Sequence, residues 1–251
     1  MTGITLAGVE IALTLLAVGL LMWSSRQDQG QAVRDGEASS DQNGASLREA
    51  VRTPTFWIIA AIVFLGTSGV FGASFQVLPR YADLGVAGAV IPVIAAMAGL
   101  GTLVGRLSSG FLLDYIDARS IACVTLGIGA TGIFGLAMMG QGQSTLIVCL
   151  PPLLLGAALG AESDILPYMV RRYFGPRQFA LIYNRLLIAF QSGAVVGPLA
   201  LSLAFDRFSQ MEGALVAIGA CCLVAAVLAV LLPPPAGRTW VAQNARDLPT
   251  R

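Results

Sequence analysis

The sequence contains no lysine and no histidine, and all 15 of its basic residues are arginine. Without lysine there is no Schiff-base site. Without histidine there is neither an imidazole metal cluster nor a His-based triad. Charge is scarce: 12% of residues are charged and the formal net charge is +1. No basic field exists to attract nucleic acid. Cysteine is limited to Cys123, Cys149, Cys221 and Cys222, all inside apolar runs and without CxxC spacing. They read as buried, inert thiols. A membrane-embedded enzyme would need clustered His, a Ser/Lys pair or paired Asp on facing helices. None is present, so the chain reads as no enzyme and no cofactor is implied.

What the sequence does have is apolar length. Hydrophobic residues make up 56% of 251, and the mean hydropathy is +0.76. A bilayer core about 30 Å thick takes roughly 20 apolar residues as a helix. Seven such runs occur, at about 3–23, 55–77, 86–109, 120–139, 145–168, 179–203 and 211–232. They lack the alternation of barrel strands, and lipid offers the backbone no partners, so helices are expected. The fold class is therefore an all-α integral membrane protein of about seven transmembrane helices. The first run has no positive n-region and no small-residue cleavage pattern after Trp23, so it reads as a retained helix rather than a signal peptide.

The chain divides into a first helix (1–23), a polar linker (24–53), a six-helix bundle (54–232) and a tail (233–251). The linker is Gly/Ser/Gln/Asp-rich over 26–46 and cannot bury a core. Ser46 and Glu49 have capping-box spacing, which predicts a short helix over 47–53 running into Pro54. Twelve arginines fall in the linker, the 106–119 stretch, the 171–177 loop and the tail. The intervening segments hold only Arg80 and Arg207, and Arg185 lies inside a span. By the positive-inside rule the N-terminus is outside and the C-terminus cytoplasmic, in the cell (inner) membrane.

Two segments carry a resemblance. The first is Gly105-Arg106-Leu107-Ser108-Ser109-Gly110-Phe111-Leu112-Leu113-Asp114-Tyr115-Ile116-Asp117-Ala118-Arg119. It resembles the loop signature of the major facilitator superfamily, roughly G-x-L-x-D-[RK]-x-G-[RK]-[RK]. Gly110, Asp114 and Arg119 match, whereas Tyr115 replaces a basic residue and Asp117 a glycine. The second runs from Gly160-Ala161-Glu162-Ser163-Asp164 through Tyr168 to Arg171-Arg172-Tyr173-Phe174-Gly175, followed by Phe179–Tyr183 and by Gly193–Pro198. It is similar to the tenth and eleventh helices of the monocarboxylate and oxalate/formate branch. The resemblance spans about 47–232. It implies the last helix of a front half plus a complete six-helix rear half, with the N-terminal half as the missing partner. An isolated chain of this kind is expected not to transport.

The resemblance also suggests roles. Gly110 would let two helices approach closely. Asp114 and Arg119, with Glu162, Asp164, Arg171 and Arg172, would form a charge network that changes with conformation. In the same branch an arginine of the eighth helix is implicated in holding a substrate carboxylate, and Arg106 matches that position. Arg185 lies near a basic residue of the eleventh helix with a similar part. Asn184 and Gln191, seven apart, lie on one helix face, with Ser192 adjoining. Ionisable residues inside the membrane are functional candidates in their own right. A guanidinium also suits bidentate carboxylate binding. Other outcomes stay open: either arginine can snorkel to the cytoplasm, Arg106 can pair with Asp114 or Asp117, and Arg185 with Glu162 or Asp164. Glu162 and Asp164 point about 200° apart on a helix, so they form no carboxylate pair.

The expected function is secondary transport of a small organic anion such as a monocarboxylate, by alternating access, with protons as a candidate coupling ion. The partners are the lipid bilayer, the anion and the missing half; nucleic acid and metal are not among them. The alternatives are a seven-helix receptor or sensor, and a non-transporting truncated fragment. A receptor leaves the long linker and the loop signature without explanation.

Overall fold

A computed structural model describes residues 44–208 and 211–233. The apolar run 3–23, most of the linker and the tail from 234 lie outside the described residues. Among the described residues there are helices and no strands. A short helix α1 (Leu47–Arg52) opens with the capping box: the Ser46 hydroxyl accepts from Glu49 N–H, and the Glu49 carboxylate accepts from Ser46 N–H. Six long helices follow: α2 (Pro54–Asp83), α3 (Ile91–Leu113, preceded by a 3-10 turn at Gly88–Val90), α4 (Ala118–Ala137), α5 (Thr145–Phe174), α6 (Phe179–Phe208) and α7 (Met211–Leu231). All six are long and apolar enough to cross a membrane.

Three of the six outrun the expected spans. At 30 residues each, α2, α5 and α6 extend to about 45 Å. Apolar runs report the thickness of the hydrocarbon, whereas a helix continues into the interface as long as nothing stops it. At α5 the stop is Gly175, whose φ of 79° is open to glycine and strained for other residues.

The packing follows a repeat. The helices form two three-helix units, α2–α4 and α5–α7, that exchange their second members. The long axis of α3 lies against α5, and that of α6 lies against α2. Glycines make both seams. In α3, a Cβ on Gly101 or Gly105 would collide with the backbone carbonyl of Leu153 or Ala157 in α5. Reciprocally, Gly156 and Gly160 of α5 press on the carbonyls of Ala98 and Thr102. In α6, Gly193 and Gly197 press on those of Phe64 and Ser68 in α2. Close backbone approach replaces hydrophobic driving force when lipid is the solvent. The third helices, α4 and α7, complete the bundle behind α2 and α5. Ile59, Ile133, Leu155 and Leu215 are fully buried in its core.

Proline breaks the ladder of α5 and a side chain repairs it. Pro152 has no N–H to offer the carbonyl of Val148. That carbonyl instead accepts the hydroxyl of the fully buried Tyr81 of α2 at 2.6 Å.

The ends of the bundle differ. At one end Leu47 N–H donates to Gln178 Oε1 (2.7 Å), Ala45 N–H to Phe174 O (2.8 Å) and Tyr173 OH to Pro233 O (2.9 Å). Arg48, Arg52, Arg119, Arg171, Arg172 and Arg177 gather there. At the other end Arg80 joins α2 to α7 through Glu212 (2.9 Å) and to the end of α4 through Met139 O (3.2 Å).

Candidate functional site

Arg106 leaves α3 one residue after the Gly105 contact with α5. Because glycine brings the two backbones together, the arginine head reaches the next turn of α5. Its Nη2 donates to Ser163 Oγ at 3.1 Å, and its Nε lies 3.8 Å from Asp164 Oδ1. Ser109, one turn further along α3, places its hydroxyl 3.2 Å from Asp164 Oδ2 and 3.0 Å from the Arg106 carbonyl. Ser163 Oγ also reaches Gly160 O (2.9 Å) and Asp164 Oδ1 (3.3 Å). Pro167 withholds the N–H that would engage the Ser163 carbonyl, which leaves an acceptor in the same place.

The Arg106–Asp164 contact is loose and open. The arginine side chain is 63% exposed and the aspartate 31%. With Nε beside Asp164 and Nη2 bonded to Ser163, Nη1 and the remaining Nη2 hydrogen are free to bind a second group. Arg106 lies about 11 Å along α3 from its last residue, Leu113, so the head sits well inside the helix rather than at its end. Its partner is Asp164. It pairs with neither Asp114 nor Asp117, because both lie beyond the arginine-rich end of α3, two turns away.

Glu162 sits on the other side of α5. It is buried, its Oε1 accepts the hydroxyl of Thr67 on α2, and its Oε2 has no partner. Arg185, Asn184 and Gln191 line an exposed stripe of α6, with Ser192 beside them. Arg185 makes no ion pair among the described residues, with Glu162, Asp164 or any other group. It lies about 9 Å along α6 from Phe179, toward the same end as Arg106.

The residues expected to form one charge network are not brought together. Arg119 contacts its near neighbour Asp117 at 3.9 Å. Asp114, Arg171 and Arg172 are exposed and unpaired among the described residues, seven or more residues beyond Asp164 along α5 in the case of the arginines. Glu162 and Asp164 are turned to α2 and α3 respectively. Gly110 mediates no close approach: nothing lies within 4 Å of a Cβ placed there, and the approach belongs to Gly101 and Gly105. Sequence reasoning missed Thr67 and Ser109. Each is one of two adjacent hydroxyl residues in an apolar run, Thr67-Ser68 and Ser108-Ser109, and only a three-dimensional partner tells which of the two matters.

A cleft of about 170 Å³ opens between α3, α4 and α5, with Ser108, Ser109, Ser120 and Thr125 among otherwise apolar walls. Arg106 is not among its lining residues.

A family model described as Major Facilitator Superfamily matches residues 3–164, well over half of the 251 residues. The chain belongs to the major facilitator superfamily. The match takes in the α3–α4 loop with Asp114 and Arg119 and ends on Asp164, so Arg106 and its acidic partner both fall within the superfamily region. No curated protein matches the chain. Membership makes this a multi-pass protein of a superfamily whose members are transporters rather than enzymes, in keeping with the six apolar helices of its described residues.

Proposed function

We propose that the chain serves in secondary transport of a small organic anion, such as a monocarboxylate, by alternating access. The observation that carries this reading is the placement of Arg106 and Arg185. Both are exposed, and both lie inside helices long enough to span a membrane. A guanidinium at that depth is too costly to leave against hydrocarbon and belongs in a water-filled cavity or against protein. Apart from Ser108 on α3 and Asn184, Gln191 and Ser192 on α6, the flanking faces of these helices are largely apolar and open, with Leu103 56% and Leu199 59% exposed. A second six-helix unit covering those faces would enclose a cavity with both arginines on its wall, at the position where facilitator-type sites form. Asp164 and the two serines hold the Arg106 head in place while leaving part of it free. The likeness of the Arg106 and Arg185 segments to the monocarboxylate and oxalate/formate branch favours a carboxylate over a cation or sugar. The arginine-rich end faces the cytoplasm in this reading, which puts the C-terminus inside.

The test is uptake of radiolabelled mono- and dicarboxylates into proteoliposomes, with the chain alone and with a second six-helix unit co-expressed. The reading expects carboxylate uptake that is lost in Arg106→Ala or Arg185→Ala and partly kept in Arg106→Lys. Robust uptake with both arginines removed would return them to snorkelling roles and sink the anion assignment.

A further inference from the structure

We infer that Glu162 is a proton-binding site that latches α2 to α5: its carboxyl holds a proton in this conformation and releases it when the seam between the two helices opens to water. The inference deepens the transport reading by naming the ion that would accompany the solute, and it rests on that reading only for the coupling.

The argument begins with position. Glu162 lies twelve residues before Phe174 in the 30-residue α5, about 18 Å from that end and near the middle of the helix. Only 9% of the residue is exposed. Oε1 accepts the Thr67 hydroxyl and Oε2 has no partner at all. A buried carboxylate needs a cation or a full set of donors, whereas the neutral acid does not. Among the described residues, no element packed around it supplies a cation. From α2 come Gly66 and Thr67. From α4 comes Leu126, which crowds the same glycine. From α7 comes the thiol of Cys222, engaged with Leu126 O at 3.6 Å. On α5 itself the neighbouring acid is Asp164, turned to α3, and the α3 arginine, Arg106, is turned to Asp164 and Ser163. The α6 arginine, Arg185, is on the exposed stripe.

One proton therefore resides on the carboxyl. Release moves it from a carboxyl oxygen to bulk water as hydronium and leaves a carboxylate. The carboxylate cannot remain dry between Thr67, Leu126 and Cys222, so ionisation and separation of α2 from α5 go together. The reverse path binds a proton as the seam closes. Gly66 gives the latch its room: a Cβ there would lie 3.5 Å from Oε1 and collide with Leu126.

The experiment uses the full chain in lipid vesicles. Infrared difference spectra between neutral and alkaline buffer read the carbonyl band of a protonated carboxyl. The expected result is a band present at neutral pH, displaced by Thr67→Val and lost in Glu162→Gln. Amide exchange along α2 around Thr67 should accelerate at alkaline pH beyond its intrinsic chemical increase, and this excess should vanish in Glu162→Gln. A wild-type chain without the neutral-pH band, or a band that survives Glu162→Gln, overturns the inference. Identical α2 exchange in wild type and Glu162→Gln overturns the latch. If Glu162→Gln does not fold, a band unmoved by Thr67→Val overturns it instead. A present, displaced band together with carboxylate uptake that stays absent even when a second six-helix unit is co-expressed sinks the transport reading alone.

Discussion

Gly105→Ala tests the seam and the candidate site at once. The added Cβ would sit on the Ala157 carbonyl and within 2.8 Å of Ala157 Cα. Ordinary van der Waals contact begins near 3.4 Å, and the Ala157 carbonyl oxygen lies closer still than its Cα, so α3 must retreat from α5 by more than an ångström. No rotamer change relieves it, because the obstruction is backbone. Overpacking of this kind costs about 1–3 kcal/mol; the middle of that range, about 2 kcal/mol, is roughly 30-fold in the folding equilibrium. The retreat also stretches the Arg106–Ser163 hydrogen bond, now 3.1 Å, past useful length. The control is Gly110→Ala, five residues along the same helix, where a Cβ meets nothing within 4 Å. There the substitution gains up to about 1 kcal/mol of helix propensity. Reversible unfolding in mixed detergent micelles, run on both variants beside wild type, reads the difference. Equal stability of Gly105→Ala and Gly110→Ala would refute the packing argument, whatever either does relative to wild type.

Tyr81→Phe removes the donor that Pro152 cannot supply to Val148 O, and should cost about 1–3 kcal/mol in the same unfolding assay because the carbonyl is left buried and unpaired. Arg80→Ala should destabilise more than Glu212→Ala, since Arg80 also holds Met139 O. A double-mutant cycle on that pair should return about 1 kcal/mol or less, because Glu212 is largely exposed. Glu49 is held below the usual carboxylate range by the backbone N–H of Ser46, then by the Ser46 hydroxyl. Its folded-state shift is downward, so its contribution to the α1 cap is present above the ordinary carboxylate range and fades as pH falls through the lowered value. Hydrogen exchange at the Ser46 amide, followed on acidification, should show the cap loosen, and Glu49→Gln should flatten that response.

The six described spans were legible because apolar run length maps directly onto bilayer thickness, and the α1 cap because Ser46 and Glu49 are three residues apart. What stayed hidden depends on which helix meets which. Gly101 and Gly105 stand four residues apart, a spacing that favours close helix packing, yet nothing local says that they face Leu153 and Ala157 rather than lipid. The same limit misdirected the reading of Gly110: a motif glycine was expected at a close approach and lies on an open face. Arg106 was visible as an intramembrane charge, but its acid is 58 residues away, and the nearer Asp114 and Asp117 were the natural candidates from sequence. For Glu162 the periodicity fixed which way it points relative to Asp164, while its partner, Thr67, belongs to a helix 95 residues earlier.

A seam made of glycine and carbonyl has a mechanical consequence. Side-chain interfaces yield by exchanging rotamers, in small steps and at small cost. Where α3 meets α5 and α6 meets α2 there are few rotamers to exchange, so each contact is either made or parted along several turns. Force applied to one end of such a block is passed to the other with little loss. A motion that swings the six helices as one body leaves both seams intact, whereas one that bends them against each other must tear a seam first. The glycines thereby bias this unit toward behaving as a lever rather than a spring.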